Sequence, residues 1–77
     1  MDDIDYYVKT KVMEALIECR KERGLTQTEV GEIVGKKKTT VASWEQGKSS
    51  PDIATLARLA AYYKKTISYF FGEEENL

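Results

Sequence analysis

Thr26-Gln27-Thr28-Glu29-Val30-Gly31-Glu32-Ile33-Val34-Gly35 and, just beyond it, Val41-Ala42-Ser43-Trp44-Glu45 read as two short helices hinged at a glycine. Thr26 and Glu29 stand at the spacing of a capping box. The Thr26 hydroxyl takes the Glu29 N–H, and the Glu29 carboxylate reaches back to the N–H of Thr26. Leu25 before the cap and Val30 after it supply a hydrophobic staple. Val30, Ile33 and Val34 are the expected inward face, and Gly35 ends the helix. The next helix is expected from about Lys38 to Gln46. Val41 and Trp44 form its buried side, Lys38, Thr39, Ala42 and Ser43 look outward, and Gly47 closes it.

Working outward from this pair, the rest also reads as helix. Val8, Val12, Ala15, Leu16, Cys19 and Arg23 recur at three- and four-residue spacing, which predicts a first helix from near Asp5 to Arg23. Its last turn is basic, as the helix dipole favours, and Gly24 supplies a left-handed stop. Ser50-Pro51-Asp52 is expected to open a fourth helix as cap, first-turn proline and acid, with Ile53, Leu56, Leu59, Ala60 and Tyr63 as its apolar face. A short fifth helix fits Thr66 to Phe71, stopped by Gly72, and residues 73–77 are expected to fray. With one proline and no alternating strand pattern, the fold class is all-α. The expectation is a single five-helix domain over residues 1–77, with the hinged pair at about 26–46 and the first helix extended at its N-terminus.

Composition narrows the chemistry. The 77 residues include no histidine and a single cysteine, Cys19, which removes His-based metal sites, His general bases and intrachain disulfides. No metal or cofactor is expected. No nucleophile–base pair, carboxylate pair or phosphate-binding loop is visible, so an enzyme is not expected. An unpaired cysteine fits a reducing compartment, no apolar run reaches membrane-spanning length, and the acidic N-terminus is unlike a signal peptide. A cytoplasmic protein is expected. The formal net charge of −1 argues against a nucleic-acid partner until its distribution is examined. Asp2, Asp3, Asp5, Glu73, Glu74 and Glu75 cluster at the two ends. Residues 6–72 then hold 12 basic and 7 acidic side chains, a formal +5.

Within the hinged pair, Gly31 sits mid-helix, where glycine costs roughly 1 kcal/mol relative to alanine and lets another helix cross closely. Lys36-Lys37-Lys38 places three cations where a helix start is already partly positive, each opposing the dipole by roughly 0.3–1 kcal/mol. A polyanion turns that local liability into an advantage. The plainer alternatives are a helical hairpin with no nucleic-acid role and a solvated basic loop. A helix-turn-helix places its second helix where it can enter the major groove of DNA.

The chain resembles the Cro and phage-repressor class of helix-turn-helix proteins, the lambda-repressor-like or XRE family. The resemblance is carried by Arg20, Gly24-Leu25-Thr26-Gln27, Glu29, Gly31, Gly35, Trp44-Glu45-Gln46-Gly47 and Pro51, and further on by Leu56, Leu59-Ala60, Ile67 and Phe70-Phe71-Gly72. It covers roughly residues 12 to 72, and the combination is far more specific than any one piece. It implies a five-helix DNA-binding domain. By that resemblance Gln27 lies near a phosphate and braces the reading helix. Lys37, Lys38, Thr39 and Ser43 fall at groove-facing positions, and Gln46 and Lys48 fall in a loop that touches the DNA backbone. Arg20 and Glu45 match a pair that forms a salt bridge between the first and third helices. Lys36 and Lys37 depart from the family pattern, which has an apolar residue and then a capping serine or threonine; either the turn is looser than in the family, or Lys36 lays its stem over the core and its charge outward. Lys64-Lys65 replace the usual glycine and apolar residue between the fourth and fifth helices.

Such a domain implies double-stranded DNA as partner, most naturally a palindromic operator in a prokaryote or phage. Ile4, Tyr6, Tyr7 and Val8, with Tyr62, Tyr63, Tyr69, Phe70 and Phe71, are many large apolar side chains for a small domain. A homodimer through Tyr62, Tyr69, Phe70 and Phe71 is expected, with the N-terminal aromatics packing nearby. The leading expectation is a sequence-specific transcriptional regulator, a repressor first. The alternative is a protein-interaction module or antitoxin-like factor on the same fold, which the acidic net charge keeps open.

Overall fold

The computed structural model describes residues 3–73 of the chain. Four α-helices follow one another, α1 (Asp3–Glu22), α2 (Gln27–Val34), α3 (Lys38–Glu45) and α4 (Ile53–Tyr63), and a 3-10 helix, Ile67–Phe71, closes the fold. The fold is all-helical as expected, and no strand occurs among the described residues. The fifth helix is of the tighter 3-10 kind, which suits a run of only five residues. The fraying expected of 73–77 falls, beyond Glu73, outside the described residues.

One core joins all five elements. α1 contributes Val12, Ala15, Leu16 and Cys19, α2 contributes Val30 and Val34, and α3 contributes Val41 and Trp44. α4 adds Leu56, Leu59, Ala60 and Tyr63, and the closing helix adds Phe70. Enclosing a side chain such as Leu59 stabilises the fold by roughly 1.5–3 kcal/mol. Burial pushes the Cys19 thiol up to about 11, so it packs as a small apolar side chain and stays protonated at neutral pH.

Three apolar assignments are corrected here. Ile33 is exposed, because Val30 and Val34, one full turn apart, already fill the buried stripe of a helix only eight residues long. Ile53 is 66% exposed; as the first residue of α4 it stands ahead of the first buried turn, at Thr55 and Leu56. Phe70, assigned to a dimer face, is fully enclosed in the core and cannot contact a partner. The opening of α4 differs as well. Asp52, not Ser50, is the cap, and its carboxylate accepts the Thr55 N–H at 2.7 Å, which places Pro51 before the helix. That hydrogen bond holds the Asp52 carboxyl below its usual pKa.

The connection after α4 shows what Lys64 does in place of glycine. It adopts the left-handed conformation (φ 60°), alone among the described non-glycine residues. The Lys65 N–H then bonds to the Ala60 carbonyl at 2.9 Å. The chain takes a helix-ending turn with a side chain in it, at a cost of about 1 kcal/mol.

Candidate nucleic-acid interface

The geometry of the α2–α3 pair follows from two glycines. The Gly31 carbonyl accepts the Lys36 N–H at 2.8 Å, and a methyl group on Gly31 would overlap the Lys36 carbonyl oxygen. The backbone after α2 therefore folds directly across it. Gly35 makes the bend in the left-handed conformation (φ 72°). Upstream, both reciprocal bonds of the capping box are present: Glu29 N–H to the Thr26 hydroxyl at 3.1 Å and Thr26 N–H to the Glu29 carboxylate at 2.8 Å. Leu25 packs against the core beside them.

α3 has two different sides. Val41 and Trp44 are buried. Lys38 and Thr39 are exposed, and Ala42 and Ser43 are half-buried along the same outward side. Lys36 and Lys37 before the helix, and Gln46 and Lys48 after it, are exposed too. Lys37 occupies the cap position in an extended conformation but makes no side-chain cap bond. An ammonium group has no lone pair to offer the first-turn amides. The helix start thus combines cations with amides that no side chain caps, an arrangement that suits an anion.

Glu45 fixes the orientation of α3. Its carboxylate accepts from Arg20 Nε at 2.7 Å and from Arg20 Nη2 at 3.0 Å, a two-pronged pairing with α1. Arg20 Nη1 also donates to the Leu25 carbonyl at 2.9 Å, so the guanidinium ties three segments together. The pair is largely shielded, with side-chain exposures of 17% for Arg20 and 7% for Glu45. The hydrogen bond to Glu45 holds the Arg20 proton more firmly than usual, so the charge persists at any working pH. Gln27 Nε2 donates to the same carboxylate at 3.0 Å. Gln27 is therefore bound into the junction between α2 and α3.

Ser43 is also engaged within the protein. Its hydroxyl lies 2.8 Å from that of Ser49, and its carbonyl accepts the Lys48 N–H at 3.0 Å. Ser43 therefore anchors the loop that carries Lys48. Sequence reading missed Ser49 and the Leu25 carbonyl. Ser49 has no periodic or motif signal, and the motif that contains Leu25 does not mark its carbonyl, since each acts only through a turn that brings it back to an earlier helix. The structure gathers Lys36, Lys37, Lys38 and Thr39 at the start of α3 and Gln46 and Lys48 at its end, with Gln27 at the α2 junction between them and Arg20.

The aromatic side chains expected at a dimer face make contacts within the chain. The Tyr62 ring lies 5.3 Å from the Arg23 guanidinium and edge-on to Tyr63. Tyr69 donates its hydroxyl to Glu18 of α1 and lies under Lys65. Phe71 is half-buried against the core. Ile4, Tyr6 and Tyr7 are exposed on the first turns of α1. No helix among the described residues is long and apolar enough to cross a membrane.

With this geometry in place, comparison with known proteins gives a consistent result. The helix-turn-helix family profile HTH_3 matches residues 16–70. The HTH-type transcriptional regulator PuuR of Escherichia coli is 38% identical over 60 residues, which is 78% of this chain and 32% of that protein. The cryptic phage CTXphi transcriptional repressor RstR of Vibrio cholerae is 34% identical over 58 residues, 75% of this chain and 52% of that one. This chain therefore spans about a third and about half of these relatives. A transcriptional regulator from Listeria innocua superposes with a TM-score of 0.77 at 32% identity, over 86% of this chain and 62% of that structure. Glycine-hinged helices, a caged Arg20–Glu45 pair and these matches agree, and the chain belongs to the HTH_3 helix-turn-helix family of the lambda-repressor-like, or XRE, class.

Proposed function

We propose that this chain binds double-stranded DNA sequence-specifically and regulates transcription, as a repressor, by laying α3 in the major groove. The observation that carries this reading is the two-sidedness of α3. Trp44, Val41 and the Arg20–Glu45 pair hold one side, while Lys38 and Thr39 stand exposed on the other. Lys38 suits the guanine edge and the Thr39 methyl suits a thymine methyl. Lys36, Lys37 and Lys48 neutralise phosphates, Gln46 donates to the backbone, and Ser43 and Gln27 set the loop and helix that carry them. The names of the relatives, a phage repressor among them, support the same reading. Residues 1–77 act in it as one helix-turn-helix domain.

One such domain reads only a few base pairs. We propose a homodimer that sets two reading helices about 34 Å apart on a palindromic operator. Its face uses Tyr62, Tyr69 and Phe71, with exposed Ile67 beside them and Phe70 left in the core. A monomeric mass by light scattering, both free and on DNA, would exclude it.

Selection from random duplex DNA followed by sequencing tests the whole reading. An enriched palindrome, bound with an affinity that falls steeply as salt rises, is the expected result. No enrichment and a flat salt response would replace it with a protein-binding module on the same fold.

A further inference from the structure

The first helix reaches well beyond the hinged pair, and one of its faces meets the loop after α3. Tyr6, Lys9, Thr10 and Met13 recur at three- and four-residue spacing and share a side of α1. That side forms one wall of a cleft of about 280 Å3, and Gln46 and Gly47 form the other. The contact is tight at its inner end, where a Cβ on Gly47 would lie 3.3 Å from the Met13 sulfur. The extension of α1 is thereby held beside the loop that bears Gln46 and Lys48.

We infer that Lys9, with the Tyr6 and Thr10 hydroxyls, forms a phosphate-contacting strip with Gln46, so that the extended α1 binds the duplex backbone outside the helix-turn-helix. The inference rests on the DNA-binding reading. The cleft presents one ammonium, two hydroxyls and one amide, and no carboxylate among the described residues lines it. These are the side-chain types that contact phosphate oxygens. They sit next to residues proposed to touch the same backbone, so a duplex seated on α3 brings its flank to this face. Asp3 and Asp5, on the first turn of α1, oppose the phosphates and keep the contribution of Lys9 below that of Lys38. As a phosphate contact the strip adds affinity and footprint and carries no sequence information.

The test measures Kd across a salt series for the full chain, on a mixed-sequence duplex and on the duplex enriched by selection. Lys9→Ala is expected to weaken binding to both about three- to tenfold at about 50 mM salt and to lower the salt slope by about one. The preference between the two duplexes stays unchanged. Lys11→Ala removes the same charge from the other side of α1, where Lys11 lies 5.4 Å from the Tyr7 ring centroid, and is expected to bind like the parent. Thermal unfolding checks that both variants remain folded. Parent-like binding by Lys9→Ala, in a chain whose Lys38→Ala variant loses affinity, overturns the strip and leaves the regulator reading intact. Equal losses for Lys9→Ala and Lys11→Ala also overturn it, since net charge alone then explains the effect. A parent chain with no salt-dependent DNA binding removes both readings together.

Discussion

α2 and α3 are each eight residues long and lie against one another, yet they begin in opposite ways. α2 starts with a threonine and a glutamate that satisfy each other's backbone amides. α3 starts with a lysine that caps nothing, flanked by two more lysines. The first arrangement stabilises a helix in water. The second is poor in water and good beside a polyanion. On the proposed DNA-binding reading, two neighbouring helices of equal length separate the demands of folding from those of binding, and local sequence quality falls where binding is proposed.

The largest test of this contrast lies where the two helices are tied. Arg20→Ala leaves the Glu45 carboxylate shielded and deprived of its cation, with a loss of about 3 kcal/mol and a fall in Tm of more than about 10 °C. Glu45→Ala is expected to act similarly. Calorimetry showing either variant at parental stability would mean that the pair does not hold α3. Gly31→Ala comes next, at about 2 kcal/mol, because its methyl group meets backbone rather than a yielding side chain. A stable alanine variant, checked by denaturant titration, would mean that the crossing has slack.

Smaller effects sharpen the comparison itself. Thr26→Ala removes the α2 cap and is expected to lose about 1 kcal/mol while leaving the DNA affinity of the folded protein unchanged. Lys37→Thr does the reverse. It supplies α3 with a cap, raises stability by about 1 kcal/mol and weakens DNA binding severalfold. If Lys37→Thr stabilises the protein and leaves binding untouched, the uncapped start has no role in recognition. Lys64→Gly is the smallest change, a gain of up to about 1 kcal/mol from relief of the left-handed backbone. Its DNA affinity is expected to stay constant, which distinguishes a lysine in an awkward place for binding from one that is merely awkward.

What could be read from the residues alone follows the same division. The capping box, the left-handed Gly35 and the inward Trp44 are local features, and local chemistry sufficed to find them. Ile33 and Ile53 were misplaced because periodicity names a face of a helix without saying where its cover ends. Phe70 was placed at a surface because aromatic content suggests an interface, whereas its burial depends on how the last turn packs against the other helices. At the site, Lys36, Lys37 and Lys38 stand out as a basic run at a helix start, and Lys48 only through the family resemblance. The engagement of Gln27 by Glu45, the Ser43–Ser49 contact and the cleft between α1 and Gln46 were not legible. Each of those joins segments that only the tertiary fold brings together.

Glu45 answers to two helices through one carboxylate, and its Oε1 is shared by Arg20 and Gln27. In the proposed DNA complex, a phosphodiester that draws the Gln27 amide away leaves the guanidinium both of its own bonds to Glu45. The pitch of the proposed reading surface then survives the loss of one of the three bonds at this carboxylate, and docking need not trade grip for alignment.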